Sequence, residues 1–294
     1  MNTSTAAMMA SKPQQVRTNE RRIVKVVHGS QRGAINRMMS PSDIGQLIKP
    51  FVFLDYGVIP YAGEAMAGIH PHSGIATLTL PIRGGVVYED TTGKSGVLEA
   101  GGLEWMKAGG GVWHDGRVSA PGPLQFFQLW VALPASEESA PAESQYISPQ
   151  EIEQEGPARV LLGQLGNATS PIRAPHGMNY LQVQLKNGER WRYQPPADHT
   201  VAWVSVYEGE LQTSSIVAAE TLAVFEESNA AIDFVARGDT AFVLGSAIKH
   251  PHDLVMGYYS VHTSEEALQR GEAEIMRIGN RLRAEGRLRR PVAS

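Results

Sequence analysis

The stretch GIATLTLPIRGGVVYEDTTGKSGVLEAGGLEWMKAGGG, residues 74–111, decides the fold class of this chain. Short apolar segments alternate in it with turns that contain glycine, a pattern typical of antiparallel strands. The predicted strands are Gly74–Leu80, Gly85–Glu89, Gly96–Glu99 and Leu103–Met106. The turns between them are too short for crossover helices, so we predict an all-β barrel or sandwich.

The same alternation of strand and turn continues on both sides of this stretch. Segments 20–30, 50–56 and 124–133 extend the first set, and a second set begins near Val160. Its members are Val160–Leu162, Tyr180–Leu185, Thr200–Tyr207, Leu222–Phe225, Ala231–Phe234 and Thr240–Leu244. The repetition predicts two antiparallel barrels of similar size.

The composition changes between the two sets of strands. From Pro134 onward the chain is rich in proline, acidic and small residues without an apolar period, which is typical of a linker. We therefore predict a first barrel over residues 20–134, a linker over 135–158 and a second barrel over 159–294. Residues 1–19 are polar and without periodicity, and we predict that they form a disordered arm.

One helix is predicted, at the end of the chain. Thr263-Ser264-Glu265-Glu266 resembles a capping box. Apolar residues follow on one side at helical spacing, namely Leu268, Ile275, Ile278 and Leu282. An amphipathic helix over roughly residues 264–285 therefore closes the second barrel.

Charge and composition exclude several classes of function. The net charge of -4 and pI near 6.2 give no general attraction to nucleic acid or to anionic lipid. No apolar run is long enough to span a bilayer, and the first 20 residues lack the apolar core of a signal peptide. We expect a soluble, cytoplasmic protein that binds neither nucleic acid nor membranes directly.

Three histidines predict a metal site. His70 and His72 are two residues apart, so on a strand their side chains share one face, about 6.6 Å apart along it. His114 follows 42 positions after His72, far enough for another strand to bring it beside them. Since the chain has no cysteine, a transition metal here must be bound by nitrogen and oxygen ligands.

Taken together, these residues resemble the pirins. The matching segments are Pro50–Asp55, His70–Gly74, Trp105–Gly111 with His114, Leu129–Val131 and Tyr207–Gly209. With the closing helix they cover nearly the whole chain from about residue 20. The resemblance implies a bicupin, a pair of antiparallel jelly-roll barrels with a C-terminal α-helix, whose first cupin carries the metal site.

In pirins, three histidines and one glutamate hold an iron-type centre. The histidine positions are His70, His72 and His114 in this sequence. The glutamate is expected two residues beyond the last histidine, where this chain has Gly116. An acidic residue usually follows the His-Pro-His-x-Gly block, and Ala76 stands there instead.

The resemblance implies a divalent metal cofactor, first of all Fe(II), with nickel, copper or zinc as alternatives. Three imidazoles alone can hold such an ion, although losing the anionic ligand weakens its binding. The alternative is a degenerate site that binds no metal.

The activity that the resemblance implies is that of a dioxygenase acting on quercetin-like flavonols or similar small aromatic substrates. There are two alternatives to this activity. One is a non-catalytic, metal-responsive regulator with a protein partner, and the other is a non-redox cupin isomerase.

Two carboxylates near the histidines are candidates to replace the missing ligand. Asp115 follows His114 directly, so on a regular strand it faces away from the metal, and only a bulge would turn it inward. Glu104 precedes Trp105 near the predicted mouth of the pocket, where it is a candidate for orienting a ligand or for acting as a general base.

The other histidines and the basic end have simpler explanations. His250-Pro251-His252 repeats the spacing of the metal motif, but without a third ligand in register we interpret it as a surface or interlobe loop. His176 and His199 are predicted to be exposed or hydrogen-bonded. An arginine cluster at the C-terminal end predicts a solvated helix face, with docking of an acidic partner as the alternative: Arg277, Arg281, Arg283, Arg287, Arg289 and Arg290.

Overall fold

The computed structural model describes residues 21–175 and 177–288. The predicted N-terminal arm, His176, Arg289 and Arg290 lie outside the described residues. In the first half of the chain the strands are β1 (Ile23–Val27), β2 (Ser30–Arg32), β3 (Ile35–Met39), β4 (Phe51–Ile59), β5 (His70–His72), β6 (Ile75–Arg83), β7 (Val86–Asp90), β8 (Ser95–Leu98), β9 (Leu103–Lys107), β10 (Val112–Val118), β11 (Leu124–Ala132) and β12 (Glu143–Ile147).

The second half continues with further strands and the single α-helix of the described residues. These elements are β13 (Gln154–Glu155), β14 (Ala158–Leu162), β15 (Gln164–Leu165), β16 (Ala168–Thr169), β17 (Met178–Leu185), β18 (Arg190–Tyr193), β19 (Val201–Gln212), β20 (Ile216–Ala218), β21 (Thr221–Phe225), β22 (Ile232–Ala247), β23 (Val255–Gly257), β24 (Ser260–His262) and α1 (Glu265–Ala284). Two short 3-10 helices span Ile44–Gln46 and Pro149–Glu151. The predicted all-β class with a C-terminal helix is confirmed.

Two sheets form the first half of the molecule. One has seven strands in the order β12-β9-β6-β11-β4-β3-β2, and the other has four in the order β5-β10-β7-β8. Their pairings are antiparallel, as the short glycine turns predict. Strand β6 is buried from Ile75 to Pro81, because it lies in the middle of the larger sheet with its two faces covered.

The second half is built on a nine-stranded sheet in the order β1-β21-β19-β22-β17-β14-β13, with β18 and β20 added to β22 and β19. Strand β1, from the start of the chain, pairs with β21 in this sheet. Strand β12, inside the segment predicted as a linker, pairs with β9 at the edge of the first sheet. It is half-buried, so its sequence carries no strong apolar period. The division into two domains and a linker stays a prediction.

The largest hydrophobic cluster contains residues from both halves. Phe51 of β4 meets Trp203 of β19 edge to face, with ring centroids 5.5 Å apart. Tyr56 and Tyr207 make a second aromatic contact, with stacked rings whose centroids are 6.5 Å apart. Since these aromatic pairs join two sheets across one core, the halves pack face to face and stabilise each other.

Helix α1 returns from the second half to pack on the first. Its N-cap is Ser264, whose side chain accepts a hydrogen bond from the Ala267 amide at 3.2 Å. The helix therefore begins where the sequence predicts, but its cap lies one residue after Thr263, the residue that the predicted capping box would use. Trp113 of β10 donates its indole N–H to the Ile275 carbonyl at 2.8 Å. The helix therefore braces the strand that carries His114. Among the described residues, no helix has the length and apolar character that crossing a membrane requires.

Candidate metal centre

Strands β5 and β10 bring the three predicted histidines together. The antiparallel register places His114 directly opposite His70, and His72 lies one pleat further along β5. One ligand atom from each of the three residues lies within 4.8 Å of the others. The Nε2 atoms of His70 and His114 are 3.1 Å apart. This spacing suits two imidazoles bound at about 2.0–2.1 Å to one ion, with an angle near a right angle between them.

The outer nitrogens of two of these rings are fixed by backbone carbonyls. His70 Nδ1 lies 2.7 Å from the carbonyl oxygen of Gly68, and His72 Nδ1 lies 3.0 Å from that of Tyr259. A carbonyl oxygen only accepts, so each Nδ1 carries the hydrogen and each Nε2 keeps its lone pair. Such orientation of the ligand ring by an outer partner is usual at metal centres.

Burial keeps these two imidazoles neutral. Desolvation, followed by the neighbouring His114, lowers the pKa of His70 from 6.5 to about 3. Desolvation also lowers the pKa of His72 well below its ordinary value, with His70 and His114 as further causes. Metal ligands must be deprotonated, so His70 and His72 are in their binding form at neutral pH. The residues present therefore fit a divalent ion.

Position 116 does not offer a ligand. Gly116 lies two residues beyond His114 on β10, opposite Tyr88 of β7. A Cβ there would lie 3.1 Å from Met66 Sδ and 3.3 Å from Val86 Cγ1, so these apolar side chains occupy the space beside it. Ala76 is buried in the hydrophobic core and takes no part in the cluster.

The two candidate carboxylates have different surroundings. Asp115 Oδ2 accepts a hydrogen bond from Arg117 Nε at 3.1 Å, and Asp115 is not in the histidine cluster. Glu104 of β9 is 5% exposed, and its Oε1 lies 3.7 Å from Nδ1 of His114. Glu104, and not Asp115, therefore faces one of the three imidazoles.

A cavity of about 550 Å³ opens beside the histidines. Phe53 and Trp130, stacked with ring centroids 4.0 Å apart, form part of its apolar wall. Arg37 and Asp55 form a bidentate ion pair on the lining, with N–O distances of 2.8 and 2.9 Å. The lining therefore combines aromatic surfaces with fixed polar groups, as sites for small molecules do.

One wall of this cavity comes from the second half of the chain, which the sequence did not predict. Residues 256–260, in the hairpin of β23 and β24, line it, and the Tyr259 ring lies 5.2 Å from His70 between centroids. The only signal in the sequence is the Tyr258-Tyr259 pair beside Gly257. An apolar turn of this kind does not reveal which surface it covers.

A buried network fixes this hairpin to strand β5. Ser73 Oγ donates to Ser260 Oγ at 2.8 Å and lies 3.0 Å from His262 Nε2. His262 Nδ1 lies 3.3 Å from Glu138 Oε2, and the Thr263 amide donates to the same oxygen at 2.8 Å. Ser73, His262 and Glu138 have the order of a serine-hydrolase triad, but they are buried and do not line the cavity. Their role is therefore structural.

The remaining histidines lie elsewhere. His250 is buried between the halves, with Nε2 3.2 Å from the Leu133 carbonyl oxygen, and His252 is exposed. His199 is buried and bonds Ser246 Oγ at 2.9 Å, which agrees with the hydrogen-bonded alternative. His250 and His252 also line a separate cavity of about 350 Å³.

Three of the predicted arginines that the structure describes make ion pairs. Arg277 pairs with Glu274, Arg281 with Glu285, and Arg287, beyond the end of α1, with Glu89 of β7. Arg283 donates to the neutral Asn280 at 2.9 Å instead. The ion pairs compensate part of the positive charge, which favours the solvated helix face.

Comparison with known proteins agrees with this architecture. The family model described as Pirin matches residues 32–131. A relative from Caulobacter vibrioides named pirin-like protein is 31% identical over 238 residues, covering 76% of this chain and 82% of its own. A relative from Pseudomonas aeruginosa named "putative quercetin 2,3-dioxygenase" is 28% identical over 242 residues, covering 76% and 83%.

Among solved structures, that of quercetin 2,3-dioxygenase from Acinetobacter baumannii has the same fold, with a TM-score of 0.79. It is 23% identical and covers 90% of this chain and 98% of its own. The predicted bicupin class is thereby confirmed. From the sequence relatives and the shared architecture together, the chain belongs to the pirin family.

Proposed function

We propose that this pirin is a metal-dependent dioxygenase that acts on a quercetin-like flavonol or a similar small aromatic substrate. The observation that carries the proposal is the convergence of His70, His72 and His114 beside a cavity of about 550 Å³ with aromatic walls. The relative named for quercetin dioxygenase supports the same class of substrate.

The three histidines would hold the cofactor. A divalent ion bound there, Fe(II) first, with nickel, copper or zinc as alternatives, supplies Lewis acidity and open coordination positions. Gly68 and Tyr259 keep Nε2 of His70 and His72 free by accepting hydrogen bonds from Nδ1. The protein therefore offers neutral donors in a fixed orientation before any ion arrives.

The cavity walls would bind and orient the substrate. Phe53, Trp130 and Tyr259 present aromatic surfaces next to the histidines, which suits a flat ring system. Their apolar faces also exclude water from the place where the substrate would react. The fixed ion pair of Arg37 and Asp55 adds a polar edge for hydroxyl groups.

A second candidate function follows from Gly116. The absence of a carboxylate at this position removes the anionic ligand that pirins have there, which favours a non-catalytic, metal-responsive protein that binds a partner. In that case the bound ion would alter the surface formed by the hairpin of β23 and β24, and the protein would not convert a substrate.

The test combines metal analysis with oxygen uptake. Purified protein is loaded with Fe(II), Ni(II), Cu(II) or Zn(II), and oxygen consumption is recorded with quercetin. His70→Ala is the variant, and His252→Ala, an exposed histidine outside the cluster, is the matched control. Oxygen uptake that His70→Ala abolishes and His252→Ala retains supports the dioxygenase. Full metal loading without oxygen uptake supports the regulator instead.

A further inference from the structure

We propose that Glu104 is a positioning residue of this centre, whose carboxylate orients His114 and supplies the negative charge that position 116 lacks. The inference rests on the metal site of the proposed function. The carboxylate that supplies the charge is not on the strand that carries His114 and Gly116. Glu104 lies on β9 of the seven-stranded sheet, whereas His114 lies on β10 of the four-stranded sheet.

The carboxylate of Glu104 is buried without a permanent cation beside it. Within the described residues, His114 is the one basic side chain whose nitrogen lies within 4 Å of its oxygens, at 3.7 Å. Its hydrogen-bond donors are neutral, namely Thr79 Oγ1 and, at 3.2 Å, Tyr146 OH. A carboxylate placed this close to a ligand ring attracts positive charge bound on the other side of that ring. A divalent ion on the far side of the His114 ring would provide that charge.

The other carboxylates of the cavity lining pair with arginines. Asp55 makes its bidentate pair with Arg37, and Asp115 Oδ2 pairs with the exposed Arg117, while Asp115 Oδ1 is buried without a hydrogen-bond partner among the described residues. Of the three, Glu104 is the carboxylate that lies within 4 Å of a histidine of the cluster.

The direction of the contact also fits a metal ligand. Glu104 faces Nδ1 of His114, the nitrogen turned away from His70. A carboxylate on that side favours the tautomer with hydrogen on Nδ1, which leaves the Nε2 lone pair for the ion. Carbonyl oxygens do the same for His70 and His72, so each of the three rings has an oxygen partner on its outer side.

Neighbouring side chains hold the carboxylate in place. Thr79 of β6 donates to Oε2, and Tyr146 of β12 lies within hydrogen-bond distance of Oε1 and of Asp90 Oδ2. Burial and the adjacent carboxylates raise the pKa of Tyr146, so its hydroxyl stays protonated and remains a donor. A fixed carboxylate holds its partner imidazole more firmly than a mobile one.

The experiment measures metal affinity, not turnover. Ni(II) and Zn(II) dissociation constants are determined by competition with a chromophoric chelator for the wild type and for Glu104→Gln, which keeps the size of the side chain but removes the charge and exchanges one acceptor oxygen for an amide donor. We expect affinity to fall about 10- to 100-fold. Glu143→Gln, on the adjacent strand β12 in a surface ion pair with Arg173, is the matched control and should leave affinity unchanged.

A double variant tests whether charge is what matters. In Glu104→Gln with Gly116→Glu, a carboxylate returns beside His114 and should restore most of the lost affinity. In the metal-free protein, nitrogen chemical shifts of the His114 ring should report less of the Nδ1–H tautomer in Glu104→Gln than in the wild type.

Unchanged affinity in Glu104→Gln, or an equal loss in Glu143→Gln, would overturn the inference, even if the wild type consumes oxygen with quercetin. A loss of affinity confined to Glu104→Gln would support it, even if the wild type shows no oxygen uptake. The results can therefore contradict the role of Glu104 without contradicting the dioxygenase activity, and the reverse.

Discussion

His72 Nδ1 lies 3.0 Å from the carbonyl oxygen of Tyr259, a residue 187 positions further along the chain. This contact makes the second half of the molecule part of the candidate metal centre, because the same residue that fixes the His72 ring also lines the cavity. The carbonyl and the ring of Tyr259 therefore have separable roles.

Replacing Tyr259 by alanine tests this separation. The backbone carbonyl stays, so we expect metal affinity to remain as in the wild type, while the aromatic wall is lost. An aromatic contact contributes about 0.5–1.5 kcal/mol, so binding of quercetin to the metal-loaded protein should weaken about 2- to 12-fold. Fluorescence titration measures the ligand, and chelator competition measures the metal. A Tyr259→Ala protein with wild-type quercetin affinity would show that the ring does not touch the substrate.

A carboxylate at position 116 should strengthen the metal site. In Gly116→Glu the new side chain displaces Met66, a flexible residue, and brings a negative charge to the strand of His114. We expect metal affinity to rise at least several-fold, because an anionic ligand joins three neutral ones. Gly116→Ala, which adds the Cβ without the charge, is the control. If both variants bind Ni(II) with wild-type affinity, position 116 does not face the ion.

The pH dependence of stability should carry the signature of His70. Burial and His114 lower the pKa of His70 to about 3, whereas the unfolded chain protonates it near 6.5. Its contribution to stability is therefore full above pH 6.5 and is lost as the pH falls towards 3. Between pH 6 and pH 4 the metal-free protein should lose about 1 kcal/mol of unfolding free energy per pH unit from this residue.

Urea unfolding of the wild type and of His70→Gln in the presence of a chelator measures this contribution. The glutamine variant should show a shallower fall of the unfolding free energy between the two pH values. Parallel curves would mean that His70 is solvated or already protonated in the folded protein.

The buried network around His262 should support the hairpin. His262→Leu keeps an apolar volume but removes one of the two partners of Ser73 and one of the partners of Glu138, while Ser260 and Thr263 remain. We expect the free energy of unfolding to fall by about 1 kcal/mol, the usual net contribution of a hydrogen bond. His252→Leu, on an exposed histidine, should leave it nearly unchanged. Equal stability of the two variants in urea denaturation would indicate that the network contributes little.

Local chemistry allowed much of the fold to be predicted from the sequence. Glycine turns between apolar segments indicated antiparallel strands, and the two sheets of the first half follow that pattern. The Thr263–Glu266 stretch marked the start of α1, where the side-chain oxygen of Ser264 satisfies a free amide of the first turn. The His70 and His72 pair was recognisable because the two-residue period of a strand puts both rings on one face.

Other features had no local signal. Strand β12 lies within a stretch rich in proline and acidic residues, and it becomes a strand because the free edge of β9 accepts its backbone hydrogen bonds. Strand β1 joins the sheet of the second half for the same reason, through β21. Pairing at a sheet edge depends on which backbone groups are left free, and that is known only once the sheets are assembled.

The sequence by itself determined the class of the fold, its closing helix and the three imidazoles, because each depends on the spacing of neighbouring residues. Tertiary structure alone decided that Tyr259 fixes His72 and that Glu104 faces His114. These contacts join residues on different strands or in different halves, and their distances follow from how whole sheets and a hairpin pack. The charge environment of the candidate metal centre is therefore a property of the packing.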